Sequence, residues 1–231
     1  MNIYCFGDVH GEYDKLKSCI EQSPIKQGDT LISLGDLVDR GSKSYEVIEY
    51  CIELSKIYNC IFIQGNHDSE WANYINTRER GFMWEQGQIE TNQSHVNNNV
   101  DPSIHLEFFK IQLDYYIDED NNLFVHGGFN RYYHITDNVH NSKDVLFWDR
   151  DLIASARSYE SMKDKSYPFK MKDNFKEVFI GHTPTYYLLG KHKPVQYANI
   201  HLLDTGAGKY AEGKVTLMNI QTKQYWQNEK V

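Results

Sequence analysis

Residues 30–41 read TLISLGDLVDRG, an apolar run that changes abruptly into glycine, acidic residues and arginine. The apolar part has the length and composition of a buried strand, and the glycine marks the turn that ends it. Open α/β sheets place their ligand sites outside the carboxyl ends of the strands. The stretch therefore predicts a strand that presents Asp36, Asp39 and Arg40 at the edge of a sheet.

Four further segments repeat this arrangement of an apolar run followed by glycine and by residues able to bind a cation. They are Gly7-Asp8-Val9-His10-Gly11, Gly65-Asn66-His67-Asp68, His126-Gly127-Gly128 and Gly181-His182-Thr183-Pro184. Glycine suits the tight turns and close backbone approaches that such loops require. One motif of this kind is a weak signal, but five in one chain indicate a common site.

The order of predicted elements indicates a parallel sheet covered by helices. Strand-like runs at 3–6, 30–34 and 60–63 alternate with apolar residues at helical spacing, which gives a βαβαβ series. The second half is richer in strands, which the pattern places at 123–125, 178–180, 201–203, 215–220 and 224–226. The last two are close enough in sequence to form a hairpin.

Residues 84–103 break this alternation. They are rich in Asn, Gln, Gly and Ser, and they predict an irregular surface excursion, either a long loop or a rim that shapes substrate access. Apolar residues at helical spacing then predict a helix over 104–115. Residues 155–175 are polar with isolated aromatics and give no clear pattern. Since no repeat or linker divides the chain, we expect a single domain over 1–231.

Bulk properties exclude several classes of protein. A chain of 231 residues can bury a substantial core, and its formal net charge of −8 disfavours sequence-independent binding to nucleic acid. No apolar run approaches the roughly 18 residues of a membrane helix, and the first strand leaves no room for a signal peptide. We therefore expect a cytoplasmic protein with no membrane or nucleic-acid partner.

The four cysteines lie in apolar patterns and show no CxxC spacing. They are Cys5, Cys19, Cys51 and Cys60. This distribution predicts reduced core residues, not disulfides or a thiolate zinc site.

The candidate ligands combine carboxylate, amide oxygen and imidazole groups. They are Asp8, His10, Asp36, Asn66, His126 and His182. Six ligands are too many for one tetrahedral ion that must keep an open position, whereas two ions that share a carboxylate would use them all. This mixture suits borderline divalent metals such as Mn, Fe or Zn and is unlike an all-oxygen calcium loop.

Together, the motifs resemble those of the calcineurin-like metallophosphoesterase superfamily, over residues 1 to about 206. The ending Val38-Asp39-Arg40-Gly41 is similar to that of the phosphoprotein phosphatase branch. Chain size and the Gly181-His182-Thr183-Pro184 motif resemble small bacterial and phage serine/threonine phosphatases and their diadenosine-tetraphosphatase relatives. The resemblance implies an α/β fold: a β-sandwich of two mixed sheets flanked by helices, in four α/β/β/α layers, with two metals at the strand ends.

The resemblance also implies which residue binds which metal. Asp8, His10 and Asp36 would bind the first ion, and Asp36, Asn66, His126 and His182 the second, with Asp36 as the bridge. Manganese is the metal we expect, with Fe, Zn or Ni as alternatives. Asp68 stands where the protein-phosphatase branch usually has Glu, and residues 84–103 match no recognition segment of a relative.

Four further residues match catalytic and substrate-binding positions of the family. His67 matches the general acid that protonates the leaving oxygen, and Asp39 would orient its ring. Arg40 matches a phosphate-binding arginine. Arg150, in Phe147-Trp148-Asp149-Arg150, resembles the second arginine of the clamp. Two guanidinium groups suit phosphoryl oxygens because the planar fork can bind bidentately.

Two enzymatic functions fit this pattern. The first is a phosphomonoesterase acting on phosphoserine or phosphothreonine in proteins or peptides, by direct attack of a hydroxide that bridges the metals. The alternative is a dinucleoside polyphosphate hydrolase, which would need a stacking surface for adenine and extra cations. The aromatic pairs Tyr132-Tyr133 and Tyr186-Tyr187 could supply the surface, but no Lys/Arg cluster lies near the motifs. A catalytically dead scaffold would have lost a ligand or the acid, and the chain retains both.

Overall fold

Two mixed sheets of five strands each form the centre of the computed structural model, which describes residues 1–228. The strands are β1 (Ile3–Phe6), β2 (Thr30–Ser33), β3 (Asn59–Phe62), β4 (Tyr115–Ile117), β5 (Leu123–Val125), β6 (Val178–Ile180), β7 (Val195–Tyr197), β8 (Ile200–Leu202), β9 (Thr216–Asn219) and β10 (Tyr225–Gln227). The helices are α1 (Tyr13–Gln22), α2 (Ser44–Leu54), α3 (Asn66–Thr77), α4 (Gln88–Asn97), α5 (Leu106–Lys110), α6 (Lys143–Trp148), α7 (Asp151–Ser161) and α8 (Thr185–Leu189). Short 3-10 turns span Trp84–Gln86 and Pro102–His105.

The first sheet has the strand order β10-β9-β1-β2-β3. The strands β1, β2 and β3 run parallel, in a register that pairs Ile3 with Thr30 and Thr30 with Asn59. Their carboxyl ends therefore lie side by side, as the βαβαβ pattern predicts. The strands β9 and β10 add antiparallel to the other edge and form the predicted hairpin.

The second sheet has the order β4-β5-β6-β8-β7. Its three central strands, β5, β6 and β8, are parallel, and β4 and β7 close the edges in antiparallel orientation. The predicted strands at 123–125 and 178–180 match the structure residue for residue, and the one at 201–203 begins one residue earlier.

Three apolar layers hold the sheets and helices together. The layer between the sheets includes Phe124 and Phe179, whose stacked rings lie 5.1 Å apart. A second layer lies beneath helices on the first sheet, where α1 buries Leu16, Cys19 and Ile20 at helical spacing. A third lies beneath α6 and α7 on the second sheet. The predicted fold class, two mixed sheets flanked by helices, is confirmed.

The prediction of an irregular excursion over 84–103 is wrong. This stretch contains the helix α4, which buries Gln88, Thr91, Ser94 and His95. These side chains are polar and recur at helical spacing, so a search for apolar periodicity does not detect them. The helix packs against α2, where Ser94 accepts a hydrogen bond from the backbone of Tyr45 at 3.0 Å.

The predicted helix over 104–115 is too long. The 3-10 turn over Pro102–His105 leads into α5, which ends at Lys110, and Tyr115 begins the edge strand β4. In the unpredicted segment 155–175, α7 continues to Ser161. All four cysteines are free, as predicted; Cys5, Cys19 and Cys51 are buried, whereas Cys60 is only half-buried. Among residues 1–228, no helix has the length and apolarity that a membrane crossing requires.

Candidate metal centre

The carboxyl ends of five strands bring the predicted ligands together. Asp36, in the loop after β2, lies at the centre: its Oδ2 is 3.6 Å from Nε2 of His10 and 3.4 Å from Nε2 of His126. Asp8 Oδ2 lies 3.8 Å from the same nitrogen of His10. Loops that follow β1, β2 and β5 therefore converge on one carboxylate.

Two buried groups of side chains have the spacing of metal sites, and they share Asp36. One consists of His10, Asp36 and His67, and the other of Asp36, His126 and His182. A shared carboxylate between two clusters is the arrangement that a binuclear centre requires. The first group contains His67, which the sequence predicts to be the acid, whereas the predicted ligand Asp8 lies beside that group.

Asn66 connects the two histidines of the second group. Its Oδ1 lies 3.0 Å from Nε2 of His126 and 2.9 Å from Nδ1 of His182. Asn66 is the first residue of α3, and the turn before it is so tight that a Cβ on Gly65 would lie 2.1 Å from Oδ1 of Asp36. The glycine therefore allows Asn66 and Asp36 to approach each other.

Backbone carbonyls fix the orientation of two histidine rings. Nδ1 of His10 donates to the carbonyl of Val38 at 2.9 Å, and Nδ1 of His126 donates to that of Leu34 at 2.7 Å. The Nε2 atom of each ring then faces Asp36. Metal-ligating histidines are held in this way in proteins, with the second ring nitrogen bound to a carbonyl or carboxylate.

The residues fit a pair of divalent cations. Nε2 of His182 is buried and has no hydrogen-bond partner among the described residues, while Nδ1 of the same ring faces Oδ1 of Asn66, so the imidazole is available to a cation. The six predicted ligands offer three oxygen donors and three nitrogen donors, a set that suits Mn, Fe, Zn or Ni. Nε2 of His10 accepts from Nη1 of Arg40 at 2.6 Å, so a cation at His10 requires Arg40 to give up this contact.

Several site residues have a left-handed backbone. The φ angles are +49° at His10, +53° at Asp36, +74° at Asp39, +68° at Arg40 and +62° at His182. A non-glycine residue pays a steric cost in this region, and such residues concentrate at functional sites where the surrounding structure holds them. The loops are therefore shaped for the site they form.

His67, Asp39 and Arg40 form a connected unit beside Asp36. Nδ1 of His67 lies 2.6 Å from Oδ2 of Asp39, and both residues are buried. Nη2 of Arg40 donates to Nε2 of His67 at 2.8 Å. Because Asp39 holds Nδ1, Nε2 is the ring atom free to exchange a proton once Arg40 binds something else.

Arg150 is less closely connected to the site. It lies at the residue before α7, with an exposed side chain, and its charge contributes to lowering the pKa of His182. The ring of Trp148 packs edge-on against His182 with centroids 5.7 Å apart. The segment that carries Arg150 therefore borders the second group of ligands.

Burial and mutual charge set the protonation of the ligands. Burial and the charge of His126 lower the pKa of His182 to about 2, and burial together with Arg40 lowers that of His10. Burial and the nearby Asp204 raise the pKa of Asp8. Although burial opposes it, the charge of His126 holds the pKa of Asp36 well below its usual value. Two neutral imidazoles and one firmly ionised carboxylate suit cation binding.

The free energy of unfolding of chelator-treated protein is expected to fall between pH 7 and 9. Although burial opposes it, Asp36 raises the pKa of His126 from 6.5 to about 9. The folded state therefore keeps a proton that the unfolded state releases. This stabilisation is complete below about pH 6.5 and is lost as the pH rises through about 9, on the order of 2 kcal/mol over this range. Urea denaturation at pH 7, 8 and 9 measures the change.

Manganese-loaded protein provides the comparison for this titration. An imidazole must be deprotonated to bind a cation, so the loaded protein should hold or gain stability as the pH rises. A flat or rising profile in the chelator-treated protein would show that His126 does not keep its proton in the folded state.

Two buried carboxylates near the site have no role assigned from the sequence, and one of them, Asp204, lies outside the five motifs. Asp204 follows β8 and is one of the charges that raise the pKa of Asp8, while burial raises its own pKa to about 6. Its segment, Leu203-Asp204-Thr205-Gly206, repeats the pattern of an apolar run, an acid and a glycine, so the signal was present in the sequence. Asp68 accepts from the backbone of Leu37 at 2.9 Å and ties two motif loops together.

A rim of aromatic and cationic side chains lies next to Arg40. The loop after Asp204 passes so close that a Cβ on Gly208 would lie 2.5 Å from Cβ of His10. The neighbouring Lys209 places Nζ 4.8 Å from the ring centroid of Tyr187. The rings of Tyr187 and Tyr210 meet edge to face at 6.0 Å.

The model of the calcineurin-like phosphoesterase family matches residues 1–213, and the chain belongs to this family. This match confirms the resemblance seen in the motifs. Both buried His/Asp groups, which have the spacing of metal sites, lie within the matched segment.

Curated relatives match over a shorter segment. The symmetrical bis(5'-nucleosyl)-tetraphosphatase of Hamiltonella defensa subsp. Acyrthosiphon pisum (strain 5AT) is 41% identical over 69 residues, which are 29% of this chain and 24% of that protein. The same enzyme of Cronobacter sakazakii (strain ATCC BAA-894) is 44% identical over 69 residues, with the same shares of both chains. The match thus spans about a quarter of the length of these relatives.

Solved structures match over nearly the whole chain at low sequence identity. A protein provisionally assigned as a diadenosine tetraphosphatase has a TM-score of 0.65 at 15% identity, covering 98% of this chain and 92% of that one. A serine/threonine phosphatase of Saccharomyces cerevisiae has a TM-score of 0.57 at 15% identity, covering 100% and 80%. These similarities establish the fold.

Proposed function

We propose that this chain hydrolyses dinucleoside polyphosphates at a phosphoanhydride bond. The observation that carries the proposal is the rim of Tyr187, Lys209 and Tyr210 beside Arg40. The names of the curated relatives point to the same substrate class. The proposal reverses the order of preference of the sequence analysis, which placed phosphoserine and phosphothreonine first.

The rim offers the two features that such a substrate needs. Aromatic rings stack on nucleobases and contribute about 1–3 kcal/mol per base, and the ring of Tyr187 is exposed. Lys209 and Arg40 supply cations for a chain of phosphates. The hydrogen bond with Lys209 is the main cause that lowers the pKa of Tyr187, and the charge of Arg40 also lowers it. The base of a dinucleotide would therefore contact the rim while its phosphates lie at the metal-binding residues.

The predicted ligands would hold two divalent cations. They are Asp8, His10, Asp36, Asn66, His126 and His182, with Asp36 shared between the two groups. When bound, the cations activate the attacking water and neutralise charge on the phosphoryl oxygens. Asp36 and the neutral imidazoles of His10 and His182 provide the negative charge and the lone pairs that retain them.

Arg40, Arg150 and His67 would complete the reaction. A phosphoryl group offers Arg40 oxygen acceptors in place of two imidazole nitrogens, which frees Nε2 of His67 to carry a proton. Water forms the new bond to phosphorus and releases a proton to solvent, and the bond from phosphorus to the leaving phosphate oxygen breaks. His67 donates its proton to that oxygen, with Asp39 holding the opposite ring nitrogen.

A comparison of rates on manganese-loaded protein tests the substrate class. Diadenosine tetraphosphate is expected to be hydrolysed with at least a tenfold higher kcat/KM than a phosphothreonine peptide, because only the dinucleotide can use the rim and Lys209. The variant Asp36→Asn provides the blank. A clear preference for the peptide would overturn the proposal.

Rim variants extend the same experiment. Tyr187→Leu and Lys209→Met should each raise KM for diadenosine tetraphosphate about tenfold, since one stacked base or one paired phosphate is worth about 1–3 kcal/mol. They should leave 4-nitrophenyl phosphate unaffected, because it carries no base or polyphosphate. Lys193→Met, at an exposed lysine of the pocket that Tyr186 also lines, is the matched control.

A phosphoserine or phosphothreonine phosphatase is the second candidate. The Val38-Asp39-Arg40-Gly41 sequence favours it, because this ending resembles that of protein phosphatases. The ligands and the acid would serve both reactions. Only the substrate comparison, and not the metal content, separates the two candidates.

A further inference from the structure

The buried hydroxyl of Thr91 lies behind the His67–Asp39 pair. It donates to Oδ1 of Asp39 at 2.8 Å and accepts from the backbone N–H of Asp39, also at 2.8 Å. The other oxygen of this carboxylate faces His67 at 2.6 Å. The side chain of Asp39 is therefore held from both sides, by the ring it orients and by a residue of α4.

The start of α4 fits closely against the same loop. Gly87, just before the helix, accepts a hydrogen bond from the backbone of Arg40 at 3.2 Å. Its φ is +131°, and a Cβ there would lie 2.4 Å from the backbone nitrogen of Arg40. Only a glycine permits this approach, so the first turns of α4 support both Asp39 and Arg40.

A chain of buried hydrogen bonds fixes Thr91 in turn. Its backbone carbonyl accepts from Nδ1 of His95 at 2.9 Å, and Nε2 of His95 lies 3.0 Å from Nδ1 of His105. Nε2 of His105 lies 2.8 Å from Oε1 of Glu49, on α2. Burying the two imidazoles of this row would be costly unless each were paired, so the row holds α4 in one position on α2.

We propose that Thr91 is a positioning residue for the proton donor His67, which it orients through Asp39. The hydroxyl fixes the carboxylate in the plane that directs Nδ1 of His67, and so aims Nε2 at the leaving oxygen. The inference rests on the proposed role of His67 as the acid. Through Thr91, the segment 84–103 would contribute to the hydrolysis of any substrate whose leaving oxygen needs a proton.

The test uses Thr91→Val, which keeps the shape but removes the hydroxyl, and Thr91→Ser, which keeps the hydroxyl. Rates are compared on phenyl phosphate, whose leaving oxygen is basic and needs a proton, and on 4-nitrophenyl phosphate, which needs it less. Thr91→Val should lower kcat on phenyl phosphate about 10–100-fold, the usual cost of losing a supporting hydrogen bond at a site, and change the nitrophenyl rate only a few-fold. Thr91→Ser should restore the rate.

Two controls separate positioning from loss of structure. Ser94→Ala removes a hydroxyl from the same helix, where Ser94 bonds to Tyr45 and Glu46, away from Asp39, and it should not change the ratio of the two rates. The double variant His67→Ala/Thr91→Val should be no slower than His67→Ala alone, because Thr91 then has no ring to orient.

The outcomes distinguish this inference from the proposed function. If His67→Ala selectively slows phenyl phosphate but Thr91→Val does not, or slows both substrates equally, the inference fails and the acid remains. If His67→Ala shows no such selectivity, the acid assignment itself fails, and the inference with it. Proton NMR adds a measurement without substrate: the downfield Nδ1–H resonance of His67 should shift in Thr91→Val and not in Thr91→Ser, and an unchanged resonance would overturn the inference.

Discussion

Replacing Asp36 with Asn is expected to lower the metal content of the protein from two ions to fewer than one and to reduce phosphoesterase turnover about 10³-fold. Asp36 belongs to both buried groups of ligands, and its Oδ2 lies within 3.6 Å of Nε2 of both His10 and His126. The substitution keeps the size of the side chain but removes the negative charge that both cations would share. A loss of several kcal/mol of charge stabilisation corresponds to this factor.

The experiment measures bound metal by elemental analysis and turnover on the preferred substrate. Asp29→Asn is the matched control, because Asp29 is also buried but accepts hydrogen bonds from the backbone of Asn2 and Lys26, at the start of β2. The control should retain two ions. A variant Asp36→Asn that keeps two ions and a normal rate would rule out a shared carboxylate at this position.

The second large effect is expected at His67. His67→Ala should lower kcat on phenyl phosphate about 10²–10⁴-fold, the range attributable to general acid catalysis, with a much smaller effect on 4-nitrophenyl phosphate. Metal content should stay at two ions per chain. The reason is the geometry: Asp39 holds Nδ1 of His67 at 2.6 Å, and Arg40 contacts Nε2 at 2.8 Å.

The structure makes this test informative because His67 also lies within one group of candidate ligands. A variant that loses metal would identify His67 as a ligand or a structural residue, and the acid would have to be sought elsewhere. His201→Ala is the control for loss of a buried imidazole, since His201 stacks on Phe179 and bonds to Glu177 in the second sheet. That variant should retain both its metal and its leaving-group dependence.

The fold and most of the site could be predicted because their signals are local in sequence. Each strand of the parallel core is a short apolar run, and the glycine and ligand that end it follow directly. The carboxyl ends of parallel neighbours must meet at one edge, so the order of the motifs was enough to bring Asp8, Asp36 and Asn66 together. The roles assigned to the ten predicted site residues remain proposals. The structure brings nine of them together, which are the six ligands, His67, Asp39 and Arg40.

Residues outside the motifs could not be placed in this way. Asp204 follows a strand in the same manner as the predicted ligands, but no histidine or asparagine beside it drew attention to it. Lys209 lies beside Tyr187 in the rim only because β8 lies next to β6 in the second sheet and the loop after β8 turns towards His10. Cationic side chains are therefore distant from the motifs in sequence, although Lys209 is close to them in the folded structure.

By itself, the sequence predicted the parallel core and the family, because apolar runs and strand-end motifs act over a few residues each. The arrangement in two sheets followed from the family resemblance, and the ligand set stays a prediction. Only the tertiary structure decided what supports the acid and what surrounds the substrate. The helix α4 buries Thr91 against the Asp39 loop, Ser94 against α2 and His95 against His105 in the 3-10 turn. The residues that recur on this face are polar, and Thr91, Ser94 and His95 are held there by hydrogen bonds, so a search for hydrophobic periodicity does not detect the helix.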